Sequence, residues 1–97
     1  MEDAVKEMIN NNKVMVFSKD YCPFCHKTKD LLKSKNVEFK AVEMDLIEGG
    51  NEMHAALKSI SGQNTVPCIY INGNKVGGND DLHKANEDGK LDEMLAA

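Results

Sequence analysis

At 97 residues with a net charge of −4, 41% hydrophobic residues and five aromatics, the chain is long enough for one domain, spanning 1–97, and too short for a second. Sixteen acids against twelve lysines and arginines argue against nucleic acid and against anionic membrane surfaces, since both call for positive charge. Its apolar runs fall well short of the roughly 20 residues of a membrane span, and three cysteines are an odd number that fits no secreted disulfide framework.

The N-terminus Met1-Glu2-Asp3-Ala4 has no basic-then-apolar leader, so a cytoplasmic location is expected. Val5, Met8 and Ile9 fall at helical spacing before the turn-like Asn10-Asn11-Asn12, which predicts a short first helix. Lys13 to Ser18 then reads as a buried strand. Cys25, Thr28, Leu31 and Leu32 mark one face of a second helix that fades near Ser34-Lys35-Asn36, and Lys27, Lys29, Asp30 and Lys33 form its polar face. Val37, Phe39 and Ala41 alternate with charged residues before Val42 and Met44 take the other phase, as in a strand with a bulge or with both faces covered at its end.

Gly49-Gly50 breaks the chain, Asn51 can cap, and Met53, Ala56, Leu57 and Ile60 line a helix ending at Ser61-Gly62. Val66 to Ile71 and Lys75-Val76 flank the turn Asn72-Gly73-Asn74. After Gly77-Gly78 comes a helical region with Leu82, Ala85, Leu91, Met94 and Leu95 on its buried side, broken at Gly89. The order αβαβαββα predicts an α/β domain with a four-stranded mixed sheet and helices on both faces.

Cys22-Pro23-Phe24-Cys25 lies at the first strand-to-helix junction and carries the chemistry. Only a thiolate attacks a disulfide, and an ordinary cysteine of pKa ~8.5 is only about 3% ionised at neutral pH. A sulfur just ahead of a helix meets unpaired N–H groups and the positive end of the macrodipole, with Lys19, His26 and Lys27 nearby in sequence. Cys22 is therefore the expected nucleophile and Cys25, one turn further in, the resolving thiol. The competing use of such a pair is half of a zinc site. His26, His54, His83 and Cys68 offer no second close pair to complete it, and no metal is expected. Pro67 in Thr65-Val66-Pro67 follows the kind of bond where a cis peptide is accessible, though a proline at a strand start would look the same.

Ser18 to Cys25, Gly62 to Pro67 and Gly77 to Leu82, in that order, resemble the motifs of a dithiol glutaredoxin of the thioredoxin fold. Thioredoxins proper match less well at Pro23 and Gly77-Gly78. The resemblance implies a glutathione-dependent thiol–disulfide oxidoreductase, a monomer acting on glutathionylated proteins and other disulfides and served indirectly by glutathione reductase. Glutathione is its reductant and co-substrate, and the expected potential is roughly −200 to −230 mV. It implies that Pro67 is cis and that Val66 offers its N–H and C=O to glutathione as an added strand would. By the same resemblance, Lys19 and Gln63 hold the glycyl carboxylate. Tyr21, Phe24, Thr65 and Gly78 line the site, and Asn79, Asp80 and Asp81 receive the γ-glutamyl end, with Asp81 facing the ammonium. Asn64 stands where many members carry a basic residue, Phe24 replaces a commoner tyrosine, and Cys68 reads as a buried strand thiol. The rival from another class is an iron–sulfur carrier bridging a dimer through Cys22 and glutathione, against which Pro23 argues by the same resemblance.

Overall fold

The computed structural model describes residues 1–97. Helix α1 (Glu2–Asn11) buries Val5 and Ile9, one turn apart, and the Asn12 side chain closes it by donating to the Met8 carbonyl at 2.9 Å. Strand β1 (Val14–Ser18) is buried at all five positions, which explains its unbroken apolar run. Helix α2 (Pro23–Ser34), strand β2 (Lys40–Glu43) and helix α3 (Gly50–Ser61) follow. The hairpin of β3 (Cys68–Ile71) and β4 (Asn74–Gly77) and the helices α4 (Asn79–Glu87) and α5 (Lys90–Ala96) complete the chain.

The strands lie in the order β2-β1-β3-β4, with β1 parallel to β2 and antiparallel to β3, so the sheet is mixed. Side chains alternate across β1. Met15 and Phe17 join Val5, Ile9, Met53 and Leu57 from α1 and α3 in one core, whereas Val14 and Val16 join Leu32, Leu82 and Leu91 from α2, α4 and α5 in the other. This is the thioredoxin-like architecture expected, with helices on both faces.

Several local details are set by the structure. Strand β2 starts at Lys40 rather than Val37. Its change of phase is no bulge, because Val37, Phe39 and Ala41 pack on one core and Val42 and Met44 on the other, so the segment is covered on both sides. The irregularity in the sheet falls instead between Ile69 and Tyr70. Gly49, not Asn51, caps α3; a Cβ on the next residue, Gly50, would sit 1.7 Å from the Met44 carbonyl oxygen, so this close approach of the helix start to the turn after β2 requires glycine. The third strand begins at Cys68 rather than Val66, and the hairpin turns on Asn72 and Gly73 alone, both at positive φ, as a two-residue type I′ turn demands.

Candidate functional site

Because β1 and β2 run the same way and β3 runs back, the C-terminal ends of the first two and the start of the third meet at one rim of the sheet. Beyond β1, the loop to α2 is pinned from two sides. The Asp20 N–H donates to the Asp45 carboxylate at 2.8 Å, and the His26 ring lies 2.6 Å from the Asp20 carbonyl. Cys22 is the N-cap of α2, with extended backbone and Pro23 in the first turn, where the missing proline N–H leaves no bond unmade. Its sulfur accepts the Cys25 N–H at 3.2 Å, and no acidic residue stands in the first turn to offset the positive helix end. Cys22 is 7% exposed, between Tyr21 at 70% and Phe24 at 54%; Lys27 lies 5.3 Å from the centre of the Phe24 ring.

Cys25, one turn in, is fully buried. Burial first, then the hydrogen bond and charge of Cys22, push its thiol up to about 11, against a partial pull downward from the Ser18 hydroxyl and the Lys19 backbone. Both cysteines, and Cys68, are free thiols. Cys68 is wholly buried, as its strand position suggested, and that burial raises its thiol.

The second wall is the loop before β3. The Val66–Pro67 bond is cis, and the Val66 carbonyl lies 3.8 Å from the Cys22 sulfur. The Val66 N–H donates to no carbonyl of the chain. Gln63 sits beside it, but its amide nitrogen donates to the Thr65 carbonyl at 3.0 Å and the Pro67 carbonyl at 2.9 Å. The side chain expected to hold a carboxylate thus braces the loop on both sides of Val66.

The third wall is the start of α4. Gly77 has φ 121°, and a Cβ there would lie 2.2 Å from the Asp81 carboxylate, which accepts the Gly78 N–H at 2.9 Å. Asp81 therefore caps the helix, and the N–H groups of its first turn are left for a ligand. Asn79 is buried, and the Thr28 hydroxyl donates to its side-chain oxygen at 2.9 Å, tying this helix start to α2. Phe24, Gln63, Thr65, Val66, Pro67, Gly78, Asn79, Asp80 and Asp81 together line a groove of about 490 Å³. Lys19 and Tyr21 stand outside it, on the cysteine side. A larger cavity, about 580 Å³, between the hairpin and the last two helices holds no cysteine or histidine.

Sequence reasoning missed four residues that tie together the elements carrying the site. Helical spacing shows Thr28 only as part of a helix face. Ser18 donates to Glu43 at 2.7 Å and Lys29 pairs with the same carboxylate at 2.9 Å. The only available signal was that Lys29 follows Cys25 by one helical turn. No three His, Cys, Asp or Glu side chains converge as a metal site would require. The site combines a cysteine at a helix start, a second cysteine within one turn, free backbone groups suited to an extended peptide and a helix end suited to a carboxylate. That combination supports thiol–disulfide exchange with a small peptidic thiol.

The family model described as Glutaredoxin matches residues 14–76. Glutaredoxin-1 of Rhizophagus irregularis is 45% identical over 97 residues, covering all of this chain and 96% of its own. Glutaredoxin-C2 of Arabidopsis thaliana is 43% identical over 93% of this chain and 81% of its own. Among solved structures, a buckwheat glutaredoxin–glutathione complex superposes with a TM-score of 0.95 at 35% identity, covering 98% of this chain and 86% of that one. The cytoplasmic location expected above is overturned by the relatives. Rice glutaredoxin-C4 is chloroplastic, and glutaredoxin-2 of mouse, cattle, human, orangutan and rat is mitochondrial. An organelle leader is a removable segment outside the folded domain, so the pattern of the domain carries no record of it. No helix is long and apolar enough to cross a membrane.

Proposed function

We propose roles for these residues from one premise, that the chain belongs to the glutaredoxin family. It is an enzyme of that family, a glutathione-dependent thiol–disulfide oxidoreductase, and glutathione is its binding partner and redox co-substrate. Cys22 attacks the disulfide of a glutathionylated protein or small molecule. Its sulfur bonds to the glutathione sulfur, and the other half departs as a thiolate that takes a proton. A second glutathione thiolate attacks that bond, freeing Cys22 and leaving glutathione disulfide for glutathione reductase. In the two-thiol route Cys25 attacks Cys22 instead, and glutathione later reopens the Cys22–Cys25 bond.

The observation that carries this assignment is the Cys22 sulfur, set at the start of α2 with the Cys25 N–H directed at it at 3.2 Å and the Val66 carbonyl 3.8 Å away. Glutathione fits the remaining surface group by group. Val66 supplies the strand-like contact, and the open N–H groups at the start of α4 receive the γ-glutamyl carboxylate. The Asp81 oxygen not used in capping faces the ammonium. Lys19 and Tyr21 border the glycyl end, Phe24 and Thr65 close the sides, and Gln63 holds Val66 in place.

The test is glutathione-coupled reduction of a glutathione mixed disulfide. Cys22→Ser abolishes turnover, whereas Cys25→Ser retains it and loses only the route through the Cys22–Cys25 bond. Activity in Cys22→Ser would overturn the assignment.

A further inference from the structure

The groove occupies one side of Cys22. On the other side, toward β2, the same rim carries an apolar surface that folding leaves uncovered. The large apolar side chains exposed on the domain are Met1, Tyr21, Phe24, Leu46 and Ile47, with Leu46 at 66% and Ile47 at 40%. All belong to this rim. Tyr21 and Phe24 flank Cys22, Leu46 and Ile47 lie in the turn after β2, and the Met1 methyl stands 3.6 Å from where a Cβ on Gly49 would be, at the end of that turn. The two loops are fastened together by the bond from the Asp20 N–H to the Asp45 carboxylate at 2.8 Å, and Tyr21 and Leu46 each follow one end of it. The Leu46 N–H donates to the Glu43 carbonyl at 3.0 Å and the Gly50 N–H to the Ile47 carbonyl at 3.3 Å. The turn is thus held at both ends with its two apolar side chains in solvent, and clustered exposure of this kind marks a contact surface rather than a folding need.

The strand order β2-β1-β3-β4 puts Cys22, just beyond β1, between the two surfaces. The groove lies on the β3 side, and Tyr21, Leu46 and Ile47 line no part of it. A tripeptide in a groove of about 490 Å³ leaves Leu46 and Ile47 bare. A protein substrate does not, because Cys22 is only 7% exposed and a protein whose sulfur meets it must lie across the rim, where a stable contact covers about 800 Å² on each partner. Charge narrows the partner further. Asp20, Asp45 and Glu48 are exposed around the apolar residues, and none of them is in an ion pair. An apolar centre with an acidic border suits apolar side chains set among lysines and arginines. A second copy packed through the same face would bring these carboxylates against their own counterparts, and an anionic lipid surface would meet them with like charge.

Building on the assignment of Cys22 and the groove above, we propose that the face formed by Tyr21, Leu46 and Ile47 docks the protein half of the substrate, through a segment of apolar side chains flanked by lysine or arginine near the cysteine to be reduced. The groove then binds what all glutathione mixed disulfides share, and this face binds what distinguishes one protein from another.

The test uses synthetic peptides glutathionylated on one central cysteine, with about ten residues on each side to reach about 33 Å on a domain 35 Å in its longest dimension. One peptide flanks the cysteine with Leu and Lys, a second with Leu and Glu, and a third with Gly and Ser; the mixed disulfide of glutathione and free cysteine is the small control. At low salt and saturating glutathione the Leu–Lys peptide has a KM about tenfold below the other two, and the advantage over the Leu–Glu peptide shrinks as salt rises. Leu46→Ser combined with Ile47→Ser raises that KM about tenfold at unchanged kcat, as loss of binding shared by ground and transition states does, and leaves the small control as it was. Glu48→Lys moves the preference toward the Leu–Glu peptide. Equal KM values for the three peptides, or a rise for the small control as large as for the Leu–Lys peptide, overturn the proposal. So does a wild-type dimer, or binding to phosphatidylcholine vesicles, that Leu46→Ser abolishes, since the face then belongs to another occupant. If the double variant fails to fold, Leu46→Ser alone is read in the same way. Fluorescence anisotropy of the Leu–Lys peptide with serine in place of its cysteine needs no chemistry; it decides the docking face even if absent turnover of the small control counts against the assignment of Cys22.

Discussion

Two sulfurs three residues apart on one helix live in opposite surroundings. Cys22 caps α2 beside a groove lined from Phe24, the loop before β3 and the start of α4. Cys25 is sealed from solvent, and burial raises its thiol. One turn of helix is enough to carry the chain from the edge of the groove to a sealed interior, and on that difference rests the proposal of one cysteine as attacker and the other as reserve. The sequence separation is identical in any Cys-x-x-Cys; the surroundings make the difference.

The sharpest way to break this contrast is to remove the outer sulfur. Cys22→Ser lowers mixed-disulfide turnover to background, and the coupled assay reads this directly. Next in size is Gly77→Ala, which strains the backbone and displaces the Asp81 cap. The two effects together cost about 2–4 kcal/mol and show as a lower Tm with weakened glutathione binding, while the environment of Cys25 is untouched. The contrast also has a pH signature. Cys25 is raised from 9.0 to about 11 in the folded state, so the folded protein holds its proton longer than the unfolded chain does. The resulting stability is intact below about pH 9 and is lost as pH rises through about 11, by about 2–3 kcal/mol in total; denaturant melts of reduced protein across that window check it. Smallest is Thr28→Val, which leaves the buried Asn79 oxygen without its donor and costs about 1–3 kcal/mol. It sharpens the comparison by loosening the link from α2 to the groove, read as a raised KM for glutathione.

How much of this the residues disclose depends on the range of the interaction. Spacing and turn signals found the helices and strands, with α4 and α5 read as one region broken at Gly89, because burial of Val5 and Ile9 or of Met15 and Phe17 is written in local spacing. Caps and strand ends were less legible. Gly49 rather than Asn51 caps α3, and the approach of Gly50 to Met44 joins residues distant in sequence. At the site, the residues that line the groove belong to contiguous motifs and could be named in advance. Those that support them could not, since Thr28 meets Asn79 and Ser18 meets Glu43 only after the sheet has formed. Gln63 lies between these cases: its place beside the groove was readable, but its two bonds to the Thr65 and Pro67 carbonyls were not.

The strand order has a practical corollary. All the chemistry gathers at one rim of the sheet, so the opposite rim, where α2 ends at Ser34 and the chain passes exposed Asn36 and Glu38 toward β2, lies roughly a strand's length away, about 17 Å. A fluorophore or surface tether attached at Glu38 would report on unfolding or immobilise the enzyme with the reactive edge still facing solution.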